Sequence, residues 1–479
     1  MNNARKLASL AVALPLADAL AACGGAAPPP PPRRGAPPTP GPSRPASRRG
    51  GPPRSPRAGP AAAAPPPPPP ARPGGTPPAG PVEAGKLTAW AWDPTFNIYA
   101  LNQAAEIYKK DHPGFELEVV ETPWDDLQTK LTTLAQSGQT DELPDIFLVQ
   151  NNAFQKNVIN YPDLFSDYSA SGVDFSEFPQ AVVDYSVIEG VNYGLPFDNG
   201  TAITALRTDV LKEAGYTVAD FTDITWSDFL TKGKDVLAKT GKPLLSGPAG
   251  SSDLIMMMLQ SAGASLFDAA GKPTITGNEP LLKAIDTYKQ LVESGVMVEV
   301  NSWDEYIGTF VNGSVAGTIN GVWILGSVQT AKDQSGLWEI TNLPKLDDVA
   351  GATNYSANGG SSWAISSSAN VALAADFLNA TFAGSTEFFD TILPSSGAIA
   401  TWIPAGASSV YSEPQEFFGG QPVFAKVLEF AAQVPSNNTG AYYYEGRDAV
   451  SAAITKILNG TDPATALDEA QKNVEFAMQ

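Results

Sequence analysis

FVNGSVAGTINGVW, residues 310–323, reads as a helix end, a stop, a strand and an exit. Upstream, Trp303 to Phe310 puts Tyr306 and Phe310 on one helical face, and Gly313 supplies a left-handed stop. Val315 to Ile319 fits a short buried strand. Asn320-Gly321 then reads as a turn that takes positive φ. Trp323 follows, at the mouth of a strand, where α/β proteins place their ligand crevice. A lone tryptophan is more often a core residue than a ligand contact. The rest of the chain decides between the two.

Working outward, the same alternation recurs. Lys86 to Trp92 is a strand, ended by Asp93-Pro94, and Asn97 caps a helix with Ile98, Leu101, Ala105 and Tyr108 on one side. Phe115, Leu117 and Val119 alternate as a second strand, and Trp124 opens a helix carrying Leu127, Leu131 and Leu134. Ile146 to Val149 is a third strand, with Gln150 and Asn151 at its carboxyl end. This βαβαβ order predicts a parallel sheet with right-handed crossovers. Neither GxGxxG nor GxxxxGK[ST] occurs, so a nucleotide-binding fold is unsupported. Tyr193 to Gly200 reads as a polar, turn-rich segment before an apolar strand, Thr201 to Leu206. Further helices are expected over Asp209–Ala214, from Trp226, over Pro280–Ser294, Val371–Ala383 and Arg447–Leu458, and over Ala464–Met478. Gly359-Gly360 allows close backbone approach before Trp363 enters a strand.

Charge is uneven along the 479 residues. Residues 1–81 hold ten of the 30 Lys/Arg and one of the 50 acids, so the remainder carries a net −29. Such a domain repels nucleic acid, and no nucleic-acid partner is expected. One Cys and one His exclude an internal disulfide and leave no His-rich zinc site or Ser-His-Asp triad to build generously. No metal or cofactor is expected. His112 reads as a loop residue.

The N-terminus reads as a targeting device. Arg5 and Lys6 precede the apolar run Leu7–Ala17, and Leu20-Ala21-Ala22-Cys23 resembles a bacterial lipobox, with Cys23 as the lipid acceptor. Pro15 and Asp18 are departures within the apolar region. Residues 1–22 would be the signal peptide and 23–82 a lipidated tether. Residues 24–81 hold 24 of the 43 prolines and no acid, and such a composition builds no packed core. GC-rich codons give the same composition in any frame, so a tether and a frame error in the gene both fit it. The folded domain starts near Glu83.

AWAWDPTFNIYALNQAAEIYKKDHP, YGLPFDNGTAITALRTDVLKEAG and F-x-x-G-x-x-A-x-x-x-x-G-x-W (Phe310–Trp323), in this order after a lipobox, together resemble the family 1 extracellular solute-binding proteins of ABC importers, of which maltose-binding protein is one. The family's usual Met in the last motif is Thr318 or Ile319 here. The resemblance implies an α/β, two-lobe, type II periplasmic-binding-protein-like fold with a ligand cleft between the lobes. It implies three crossings, expected near Phe165, Leu343 and Ser396. Lobe 1 would then comprise residues 83–166 and 343–395, and lobe 2 residues 167–342 and 396–479. It implies capture of a carbohydrate, an oligosaccharide by expectation, through hinge closure and delivery to permease subunits. It implies a monomer, lipid-anchored on the extracytoplasmic face of the cell membrane, that catalyses nothing.

A sugar presents C–H faces to aromatic rings and hydroxyls to carboxylates and amides. Trp323 and Trp363 are the expected stacking platforms. Trp92, Asp93, Gln150, Asn151, Asp198, Asn199 and Tyr444 are the expected companions, by their places at strand ends and in loops. For Trp92, Trp124, Trp303 and Trp402, core packing fits at least as well as ligand contact. Two other readings stay open. A glycoside hydrolase needs two facing carboxylates, and no motif singles out a pair. A binder of peptide, polyamine or cation would suit the negative charge.

Overall fold

The structure is a computed structural model that describes residues 85–479. The expected signal peptide, Cys23, the tether and the start near Glu83 lie outside the described residues. Thirteen strands are found among the described residues: β1 Lys86–Ala91, β2 Glu116–Glu121, β3 Ile146–Gln150, β4 Phe165–Ser166, β5 Val187–Ile188, β6 Val191–Asn192, β7 Leu195–Asp198, β8 Ala202–Arg207, β9 Leu245–Pro248, β10 Met297–Val300, β11 Gly317–Gly321, β12 Trp338–Thr341 and β13 Ser361–Ser366. Among the same residues no helix is long and apolar enough to cross a membrane.

The first lobe is built on β1, β2 and β3, which are parallel, with Lys86 opposite Glu116 and Ala91 opposite Glu121. In β1 every second residue, Leu87, Ala89 and Ala91, is fully buried, which is the period of a strand with one face on a core. In β3 Ile146 to Val149 are all buried, as a central strand covered on both faces requires. The sheet order is β2-β1-β3-β13-β4, and β7 also pairs with β13. β13 runs antiparallel to β3. One sheet face, with Leu148, Phe197 and Trp363, packs under helices Asn97–Tyr108, Val371–Thr381 and Thr386–Ser396. The other, with Phe147, Val149 and Ala364, packs under helices Trp124–Ser137 and Asn151–Asn160.

The second lobe holds an antiparallel sheet, β11-β8-β12, and a parallel pair, β9-β10. Its helices Thr208–Ala214, Trp226–Thr240, Asp253–Ser261 and Glu279–Glu293 share a core with the C-terminal pair Tyr443–Leu458 and Pro463–Ala477. Trp226, 1% exposed, sits in that core, and Thr225 caps its helix by accepting from the Asp228 amide.

The crossings differ from the expected ones. Near Phe165 the chain stays in lobe 1, because β4 takes the free edge of β13 at Ile365–Ser366. The segment expected to be polar and turn-rich contains β7, which takes the same edge at Ser361–Trp363 and buries Leu195 and Phe197. The chain enters lobe 2 only at residues 199–201. Leu343 and Leu346 lie in the lobe-2 core, and the return runs through residues 356–360. These two passages pair antiparallel: Ala202 donates to the Ser356 carbonyl and Asn358 to the Gly200 carbonyl, both at 2.8 Å. Gly200 has φ +57°, and a Cβ there would stand 2.5 Å from the Asn358 carbonyl oxygen, so only glycine fits. The third passage is drawn out past Ser396. Thr401 still donates to the Pro196 carbonyl of lobe 1, whereas Gln421 exchanges hydrogen bonds with the Ile340 backbone of β12.

Candidate functional site

A cleft of about 910 Å³ opens between the lobes. Lobe 1 lines it with Trp92, Asp93 and Gln150 from strand ends, and with Asp198 at the last residue of β7. Lobe 2 lines it with Trp303, Trp323, Asp253 and Arg447. Of the nine tryptophans, all within the described residues, only Trp303 and Trp323 are exposed, at 45% and 38%. They stand side by side, ring centroids 5.9 Å apart and tilted by 36°.

The local sequence explains both positions. Ser302 caps helix Trp303–Val311 by accepting from the Glu305 amide, Tyr306 and Phe310 face inward, and Trp303 overhangs from the first turn. Gly313 has φ +71°, as its stop requires. β11 ends at Gly321, whose φ is not positive, so Asn320-Gly321 is not the expected turn. The glycine serves another need. A Cβ at 321 would lie 2.2 Å from Trp323 Nε1 and 2.6 Å from the Asn358 carbonyl oxygen. The indole folds back over Gly321, and its Nε1 donates to that carbonyl at 2.9 Å. The Asn358 amide donates in turn to Asn320 Oδ1 at 2.8 Å.

On the facing wall, Asp93 Oδ1 accepts from the Thr95 hydroxyl and the Thr95 and Phe96 amides, so one carboxylate oxygen holds the turn. The Trp92 ring packs edge-on against Trp124 at 5.2 Å. Asp198 accepts from the Ser361 hydroxyl. Burial pushes its carboxyl up to about 6, against hydrogen bonds from Ser361 and the Gly200 backbone. Arg447 Nη2 pairs with Asp253 Oδ1 at 2.7 Å. Hydrogen-bond donors, acceptors and exposed indole faces thus share one cleft.

Four expected site residues do not line it. Trp363 is fully buried, among Phe197 and Phe382 at 5.5 and 5.4 Å. β13 begins at Ser361, so Trp363 is already two residues inside the sheet and faces the lobe-1 core. Asn151 is buried; it accepts from the Ser362 hydroxyl at 2.8 Å and donates to the Asp198 carbonyl at 3.3 Å. Its neighbour Asn152 reaches the cleft instead. Asn199 accepts from the Thr201 amide and hydroxyl and holds the crossing turn. Tyr444 stops one layer back, its hydroxyl donating to Gln150 Oε1 at 3.0 Å. Sequence reasoning did not place Asp253, Arg447 or Asn358. Only their polar side chains mark them, and neither spacing nor a motif singles them out.

Residues 103–392 match the family described as bacterial extracellular solute-binding protein. A lactose-binding protein of Rhizobium radiobacter is 37% identical, over 82% of this chain and 92% of its own length. An arabinooligosaccharide-binding protein of Halalkalibacterium halodurans is 24% identical over 80% of this chain and 87% of its own. The sugar-binding protein MalE from Xanthomonas citri superposes with a TM-score of 0.70 at 17% identity, covering 82% of this chain and 97% of that one. Its likeness is one of fold: two α/β lobes. With the cleft set at the crossings and a relative so similar along nearly its whole length, the chain belongs to the bacterial extracellular solute-binding protein family.

Proposed function

We propose that this protein captures a carbohydrate of two or more units between its lobes and presents it to the transmembrane subunits of an ABC importer. One observation carries the reading. The only two exposed indoles in the chain lie together in the cleft, opposite carboxylate and amide groups that suit hydroxyls. The sugars for which those relatives are named, lactose and arabinooligosaccharide, support it. The family's binding role supports a protein without turnover that works at the extracytoplasmic face; the lipobox-like Leu20-Ala21-Ala22-Cys23 supports a lipid on Cys23, and a monomer is part of the same proposal. The cleft would close on its ligand by rotation about the crossings, because only the closed form offers contacts from both lobes.

Isothermal titration against a panel of mono- and oligosaccharides, lactose first, tests this. Saturable binding to one class is expected, without product, and with the tryptophan fluorescence change lost in Trp323→Ala. Binding only to a peptide, a polyamine or a cation would sink the carbohydrate assignment.

A further inference from the structure

Behind the cleft, two helices from opposite lobes meet. Helix Asn151–Asn160 belongs to lobe 1 and buries Ala153, Phe154 and Val158 there. Helix Tyr443–Leu458 belongs to lobe 2 and buries Val450, Ala453, Ile454 and Ile457 there. Lys156 Nζ on the first lies 3.0 Å from Glu445 Oε1 on the second. Both side chains are about one-third exposed, and neither lines the cleft. The same ammonium stands 5.8 Å from the centroid of the Tyr444 ring. That ring, carried by the lobe-2 helix, packs against the lobe-1 cluster around Phe154. Just before the helix, the Gly440 amide donates to Gln155 Oε1 at 2.7 Å.

The ion pairs of the described residues set this contact apart. Lys86–Glu118, Lys110–Glu387 and the others join groups within one lobe, and Lys156–Glu445 alone joins the two. It is not simple stabilisation. Glu445 Oε2 is buried with no hydrogen-bond partner, which is costly for a carboxylate. A half-satisfied charge pair adds little net stability but favours the one geometry in which its partner is in place.

We propose that Lys156 and Glu445 form an inter-lobe latch that sets the population of this lobe arrangement, and through it the residence time of the ligand, without touching the ligand. The proposal rests on capture by lobe closure. A contact made in one lobe arrangement and lost in the other shifts their equilibrium by its differential energy, and the apparent affinity follows the population of the competent state. Lys156 and Glu445 are therefore positioning residues.

The test is single-molecule energy transfer on the full chain, with one dye on an exposed position of each lobe, together with stopped-flow binding of lactose or whichever panel sugar binds. Lys156→Glu and Glu445→Lys should each depopulate the energy-transfer state of this lobe arrangement and change the dissociation rate about five- to tenfold. The association rate should change by less than about twofold. The double reversal should restore both readouts, which a merely structural role would not do. Should a reversal fail to fold, Lys156→Met and Glu445→Gln should each give a smaller shift in the same direction. Native lobe populations and release rates in the single variants, or a double variant no nearer native than either, would overturn the latch. The lobe population is read without sugar, so a chain that binds no sugar sinks the carbohydrate reading and leaves this test intact.

Discussion

Gly321→Ala is the sharpest perturbation the cleft offers. The added carbon would sit 2.2 Å from Trp323 Nε1, 2.8 Å from its Cδ1 and 2.6 Å from the Asn358 carbonyl oxygen. Ordinary contact begins near 3.4 Å, so the ring must move by about an ångström or more. The carbonyl belongs to a crossing paired with Gly200 and gives less than the indole. The indole leaves its bed and loses the Nε1 hydrogen bond, about 1 kcal/mol. Its stacking face leaves the cleft wall, about another 1 kcal/mol in the complex. Together these give about 2 kcal/mol, or roughly thirtyfold in Kd. The assay is titration of the panel sugar at 25 °C, with the emission spectrum and melting curve of the free protein. Weaker binding with an altered indole emission and a melting temperature lowered by a few degrees is expected. Gly308→Ala is the control: a Cβ at this position in helix Trp303–Val311 meets nothing within 4 Å. It should leave Kd unchanged and stabilise by up to about 1 kcal/mol. Native Kd and emission in Gly321→Ala would refute the claim that this glycine seats the platform.

Asp198 predicts two pH effects. Its folded pKa, about 6, lies above the ordinary 3.8, so the folded chain keeps a proton that the unfolded chain releases. Relative to Asp198→Asn, the native protein should lose stability as pH rises from about 4 to 6. Comparison with the variant is needed because Asp220 and Asp462, held below the usual range by hydrogen bonds from Thr217 and Thr465, lose stability in the opposite direction, as pH falls. Sugar hydroxyls donate to the ionised form, so affinity should rise with pH through about 6, and in Asp198→Asn that rise should vanish; a native profile flat from pH 5 to 7 would remove Asp198 from the ligand's partners. Trp363→Ala, in contrast, should act on the fold: burial predicts a loss of about 3–5 kcal/mol, read by urea unfolding, with Kd within about twofold of native for the folded fraction.

Two tryptophans show where sequence reading stops: Trp363, expected in the cleft, is buried, and Trp303, whose place the sequence leaves open, is exposed. Trp363 follows two glycines, as a cleft residue would, and Trp303 shares its helical spacing with the buried Tyr306 and Phe310. Both inferences are sound locally. What decides each place is position along the element: Trp363 lies two residues inside β13, where the sheet is covered on both faces, and Trp303 lies in the first turn, beyond the neighbours that bury Tyr306 and Phe310. Periodicity gives the face of an element, not where the surrounding layer ends. Regular elements were legible for the same reason. β1, β3 and helices such as Trp124–Ser137 bury the residues their periods select.

The crossings were illegible for a deeper reason, and they matter most for function. Whether the chain leaves lobe 1 at Phe165 or at Asn199 depends on what fills the free edge of β13, a strand that comes about two hundred residues later in the sequence. Once β4 and β7 have taken that edge, the passage at 199–201 must pair with the return at 356–358. Both walls of the cleft are then fastened to the return: Trp323 of lobe 2 bonds the Asn358 carbonyl, and Asp198 of lobe 1 bonds the Ser361 hydroxyl, three residues on. A rotation of backbone at Gly359 and Gly360, whose φ values are +81° and +87°, would move one wall's anchor relative to the other's. The ring that would stack on a sugar and the carboxylate that would accept its hydroxyls are therefore anchored on opposite sides of these two glycines, the ring through the Asn358 carbonyl and the carboxylate through Ser361 and the Gly200 backbone. Ligand contact and lobe angle become one coordinate, and weakening either bond should change affinity and closure together.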